Sequence, residues 1–105
     1  MAKATMEAAA IVRVRIPSPL RSYTDGASEV TVALPVLAPE HPPALNAVLA
    51  ALEAKHRGLR FRIIDEQDRM RAHMRFFING EQVFDLSRTL RPTDEIQIVQ
   101  ALSGG

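Results

Sequence analysis

The chain has 105 residues, 47% of them hydrophobic and 24% charged, which suits one globular domain with a single core and leaves no room for two. Thirteen basic residues stand against twelve acidic ones, so a net charge of +1 supplies no overall field to draw in nucleic acid or a membrane surface. The absence of cysteine excludes disulfides, thiolate metal ligands and a cysteine nucleophile together.

The opening "MAKATMEAAA" has no periodicity, no leucine-rich core and no signal-peptide cleavage pattern, and no apolar run approaches a membrane span. The expectation is a cytoplasmic protein whose residues 1–10 form a flexible N-terminal extension to a domain over 11–101. In "IVRVRI" (11–16) Val12, Val14 and Ile16 alternate with Arg13 and Arg15, the period of a half-buried strand. After the turn formers of "PSPLRSYTDGAS" comes "EVTVALP", where Val30, Val32 and Leu34 repeat the alternation until Pro35 ends it. The two segments predict a hairpin with a long loop.

Prolines make "VLAPEHPP" a loop, and Pro43 suits a first helical position, where its missing donor is not needed. In "ALNAVLAALEAKHRG" Leu45, Val48, Leu49 and Leu52 fall at i, i+3, i+4 and i+7, one apolar stripe of a helix. Gly58 can supply its left-handed cap. "LRFRI" alternates like a short strand, whereas "DEQDRMRAH" (65–73) is polar, so this stretch stays unassigned between strand, helical turn and loop. "MRFFINGEQVF" predicts a second hairpin, because Asn79-Gly80 tolerates the positive φ values of a type I′ turn. "DLSRTLRPTDE" is a connection with room for one helical turn, and "EIQIVQA" gives a last strand with Ile96 and Ile98 inward.

A hairpin, one long helix and further strands predict an α+β roll, a mixed four- to five-stranded sheet around one main helix. Beyond the last strand lies "LSGG" (102–105), a flexible tail, since glycine buries no side chain and loses the most backbone freedom on ordering. Leu102 and Ser103 beside the tail, with Val99 and with Phe76 or Phe77, form a candidate partner surface; strand alternation cannot bury both phenylalanines.

The basic residues Arg57, Arg60, Arg62, Arg69, Arg71 and Arg75, which a nucleic-acid module would set beside stacking aromatics, are interrupted by Asp65, Glu66 and Asp68. They fit a solvated face or a dock for an acidic partner rather than a nucleic-acid site. His41, His56 and His73 have no ligand spacing, so no metal site is expected. No serine is held near a base, so the chain is not expected to be an enzyme on its own.

Taken in order, "IVRVRIPSPLRSYTDG", the helix "ALNAVLAALEAKHRGL", the "INGEQV" hairpin, "TLRPTDEIQIV" and the terminal "SGG" resemble the ubiquitin-like sulfur carriers, the family of the small subunit of molybdopterin synthase and the thiamine-synthesis carrier. The resemblance covers about residues 11–105 and implies a β-grasp (ubiquitin-like) fold. Where the family often has a Gly-Asp turn before its last strand, this chain has Pro92-Thr93-Asp94. Asp65 to His73 resembles the longer members, including the carrier that feeds a cysteine synthase.

In that family an adenylating enzyme consumes ATP to activate the terminal carboxylate, and sulfide or a persulfide then displaces the adenylate to leave a thiocarboxylate. Carried over, Gly105 would bear the reactive carbonyl and Gly104 its unbranched neighbour, and no cofactor would be bound by the chain itself. The implied partners are the adenylating enzyme and a sulfur-accepting synthase of molybdopterin, thiamine or cysteine formation. Two other functions fit the same residues: a protein modifier joined through Gly105 to lysine, and a non-covalent β-grasp interaction domain for which the tail is dispensable.

Overall fold

The computed structural model describes residues 9–35, 42–91 and 93–101. The expected extension, apart from Ala9 and Ala10, and His41 lie outside the described residues. β1 (Ala9–Arg15) begins two residues before the expected domain boundary and pairs antiparallel with β2 (Glu29–Pro35), Val12 opposite Val32 and Val14 opposite Val30. The alternation translates into burial: Val12, Val14 and Ile16 are buried while Ile11, Arg13 and Arg15 are exposed. The connection between them, expected as an irregular loop, contains a 3₁₀ helix, Ser18–Thr24, with Pro19 setting φ in its first turn. Arg21 Nε donates to the Ile16 carbonyl at 3.0 Å and ties this helix to the end of β1.

α1 (Leu45–Lys55) buries Leu45, Val48, Leu49 and Leu52, the expected stripe. Each such leucine, fully removed from water, stabilises by roughly 2 kcal/mol. Pro43 is not its first residue. The helix starts at Leu45, and Pro43 instead offers its carbonyl to the Leu90 N–H at 2.8 Å. Ala44 has no side chain to cap the helix, so the first orphan donors, Leu45 and Asn46 N–H, go to the carbonyls of Arg88 and Leu86 at 2.9 and 3.0 Å. The connection that follows Val83 is therefore the cap of α1. Asp85 holds that connection by accepting the Ser87 N–H and hydroxyl, which together lower its pKa, the backbone donor first.

"LRFRI" is neither strand nor loop but a short helix, α2 (Leu59–Ile63). Leu59 and Ile63, which alternation placed on one strand face, are also i and i+4 and meet on one helix face; both are fully buried, leaving Phe61 more than half exposed. Gly58 takes the left-handed conformation expected of it, φ +92°, but as the N-cap of α2, and a Cβ there would stand 3.1 Å from the Tyr23 ring. Having no side chain, Gly58 cannot cap. Glu53, one helix back, accepts the N–H groups of Gly58 (2.9 Å) and Arg60 (3.0 Å).

These bonds, the Gly58 donor first and the Arg60 donor second, hold the Glu53 carboxyl below its ordinary 4.5. Because the folded value is the lower one, the contribution is complete above the unfolded value and fades as pH falls through the folded value. Glu53→Ala is expected to destabilise by about 1 kcal/mol, as loss of a helix cap does. Its deficit against the parent, read by urea melts, should shrink as the pH is lowered through the acid range.

β3 (Met74–Ile78) and β4 (Glu81–Val83) form the predicted two-residue hairpin, with φ +51° at Asn79 and +86° at Gly80. β5 (Glu95–Gln100) runs antiparallel to β3 and parallel to β1, giving the order β2-β1-β5-β3-β4. The sheet is mixed and five-stranded, and α1 and α2 cover its apolar face, as in the expected β-grasp arrangement. Asn79 does more than turn the chain: its side chain accepts the Glu95 N–H at 3.0 Å and donates to Asp94 at 2.9 Å, pinning the hairpin to the start of β5.

Just before β5, Asp94 N–H donates to the Arg91 carbonyl at 3.1 Å, and Thr93 sits between them at φ +75°. A β-branched residue at positive φ is strained. Thr93→Gly is expected to raise stability by about 1 kcal/mol. An unchanged urea midpoint would show that Thr93 carries no such strain.

Candidate functional site

β5 is the site's axis. It lies between β1 and β3, its side chains Ile96 and Ile98 are buried, and its end is clamped where the Ala101 N–H donates to the His73 carbonyl at 2.7 Å. Whatever follows Ala101 therefore departs from a fixed point on the central part of the sheet. The expected tail residues Leu102, Ser103, Gly104 and Gly105 lie outside the described residues.

Of the expected surface residues, Val99 and Phe77 stand together on the open face. In register Phe77 faces Gln97 and Arg75 faces Val99, which makes Phe77 and Val99 diagonal neighbours across β3 and β5. Both are half-buried. Phe76 is a correction: it is 0% exposed, set between Val83 on one side and Ile98 on the other, and so belongs to the core and not to a partner surface. Ile11, about half exposed, lies on the same open side as Arg13 and was not singled out, because an alternating strand gives no sign that its outward apolar residue is more than incidental.

Arg13 stands within 3.9 Å of both Glu29 and Glu95, a loose exposed arrangement worth little to stability. On the opposite side of the sheet, at the end where β5 stops, a groove of about 550 Å³ runs between the 3₁₀ helix and α2. Tyr23, Phe61, Arg62, Arg71, His73 and Gln100 are among the residues that line it. None was assigned to a site from sequence beyond membership of the basic cluster.

Among the described residues no group of three or more His, Asp or Glu side chains stands close enough to hold a metal ion. No described helix is long and apolar enough to cross a membrane.

A model of the ThiS family matches residues 14–105, nearly the whole chain and both terminal glycines. No curated protein matches significantly. Among solved structures, CysO of Mycobacterium tuberculosis, described as an antigen, is similar at 26% identity and TM-score 0.74, over 87% of this chain and 99% of that one. A chain from the BexX/CysO complex of Amycolatopsis orientalis is similar at 24% identity and TM-score 0.75, over 90% and 99%. SAMP1 of Haloferax volcanii shares the fold at 21% identity and TM-score 0.72, over 90% and 99%.

Proposed function

Since the chain belongs to the ThiS family, the ubiquitin-like sulfur carriers, we propose that it carries sulfur as a thiocarboxylate at Gly105. The observation that carries this reading is the extent of the family match, which runs through Gly104 and Gly105. A carboxylate resists nucleophiles through its charge and resonance, so activation must come first. An oxygen of the Gly105 carboxylate attacks the α-phosphorus of ATP, pyrophosphate leaves, and the carbonyl becomes a mixed anhydride with AMP. Sulfide then adds to that carbonyl carbon and AMP departs, leaving carbon bonded to sulfur. If a persulfide attacks instead, a thiol must afterwards reduce the acyl disulfide.

The chain supplies reach and shape to this chemistry, and the activating enzyme supplies ATP and the groups that stabilise the transferred phosphate. From Ala101 four residues span up to roughly 14 Å at about 3.3 to 3.6 Å each, enough to enter a partner's pocket. Two terminal glycines present no Cβ to a narrow entrance. Phe77 and Val99 on the open face would dock the sheet against the enzyme while the tail is engaged, and a separate synthase would take the sulfur. With no cysteine in the chain, no internal thiol competes for it.

The test is the intact mass after incubation with ATP, the adenylating enzyme and a sulfur donor. The expected result is a gain equal to exchange of one oxygen for sulfur. Higher-mass lysine conjugates without that gain would make the chain a modifier, and an unchanged mass would leave a non-covalent interaction domain.

A further inference from the structure

Arg62 and Arg71 are nine positions apart and end in one groove because the segment between them folds back on itself. Ile64 and Met70 form a bridge, and Arg71 N–H donates to the Ile63 carbonyl at 2.9 Å. Asp65 closes the loop by accepting the N–H groups of Arg69 and Gln67 at 3.0 and 2.9 Å. Each guanidinium is then fixed through its Nε alone. Arg62 Nε donates to the Tyr23 hydroxyl at 2.6 Å, with its Cζ 5.7 Å from that ring's centre, and Arg71 Nε donates to the Phe61 carbonyl at 2.7 Å, with its Cζ 4.6 Å from the centre of the Phe61 ring.

The neighbouring basic residues differ. Arg60 is paired with Asp68 at 3.2 Å and Arg69 with Asp65 at 3.6 Å, whereas Arg62 and Arg71 have no carboxylate partner within salt-bridge distance among the described residues. Their terminal nitrogens are left as oriented donors in a cleft with two aromatic walls, opposed there only by Glu66. A guanidinium held by one edge and stacked on a ring offers the other edge for two-point bonding to an oxyanion.

We propose that this groove docks an acidic segment of a partner protein, with Arg62 and Arg71 receiving its carboxylates and Tyr23 and Phe61 an adjoining apolar side chain. Polyphosphate is the poorer fit, since Glu66 lines the groove and would repel a long anion while admitting a short one. Gln100, the last residue of β5, lines the same groove, so a partner seated there holds the root of the tail.

The experiment is a titration of the ¹⁵N-labelled full chain with a capped hexapeptide of alternating glutamate and leucine, with a glutamine–leucine hexapeptide as control. Saturable shifts at Phe61, Arg62, Arg71 and Gln100 are expected, absent with the control and weakened by added salt. Arg62→Gln with Arg71→Gln should weaken binding about tenfold, while Arg60→Gln with Arg69→Gln leaves it unchanged. Should the first pair fail to fold, Glu66→Gln, which breaks none of the bonds that orient the arginines, must tighten binding. Equal losses in both double variants, a null Glu66→Gln, or tighter binding of an oligonucleotide or inorganic phosphate in the groove would each overturn the proposal. None of these outcomes bears on whether Gly105 takes up sulfur.

Discussion

Gly105→Ala is expected to fold as the parent does and to lose at least about 100-fold in the rate of oxygen-for-sulfur exchange. Stability should not move, because glycine has no side chain to give to a core, and among the described residues the buried core runs from Val12 to Ile98. A substitution outside such a core changes stability by less than about 0.5 kcal/mol. The rate should fall steeply, because a methyl group at the reacting residue narrows φ and ψ and displaces the carbonyl from in-line attack, and misplacement by an ångström can cost about 100-fold. Calorimetry and single-turnover mass measurements on one preparation read both quantities. A loss of more than about 1 kcal/mol would mean that the terminal residue is packed, contrary to a tail that acts only by reach. Undiminished exchange would mean that the enzyme's entrance has room for a side chain. Deleting Gly104 and Gly105 adds the remaining distinction, since a partner that binds the sheet without covalent chemistry would still bind the shortened chain.

The parts of this fold that sequence made legible are those set by local periodicity. Val12, Val14 and Ile16, the α1 stripe from Leu45 to Leu52, the Asn79-Gly80 turn, and Ile96 with Ile98 all follow from spacing within one element. What was not legible depends on partners far along the chain. Leu59, Phe61 and Ile63 satisfy a two-residue period and, through the outer pair, a four-residue one; the choice falls to helix because Glu53 reaches forward to cap it and Gly58 has room only for hydrogen against Tyr23. Pro43 was misplaced for a similar reason, since the donors at the start of α1 are satisfied by carbonyls forty or more residues later. The cluster of arginines could be listed from sequence, but which of them were already paired could not, because closing of the loop over residues 64–70 decides it. At the site, the terminal glycines stood out in the sequence itself, whereas the outward position of Phe77 required the phase of β3 to be known.

That phase makes Phe76 and Phe77 the sharpest pair of variants. Phe76 has Val83 and Ile98 as its cross-strand neighbours and is 0% exposed, so Phe76→Ala leaves a cavity at the centre of three strands and should destabilise by about 3–5 kcal/mol. Against a total of about 5–15 kcal/mol for a domain, that unfolds a large share of the population near physiological temperature. Phe77 points the other way, between Gln82 and Gln97 and diagonal to Val99. Phe77→Asp should shift the urea midpoint only slightly, yet weaken binding to the activating enzyme about tenfold or more, because it puts a charge where an aromatic anchor meets the partner. Denaturant melts and enzyme-binding titrations on both variants form a two-by-two comparison. Opposite signatures would make the open face of β3 and β5 the docking surface; a Phe77→Asp variant that melts like Phe76→Ala would show that the open face is instead part of the core, and unaltered binding would move the docking surface off this face.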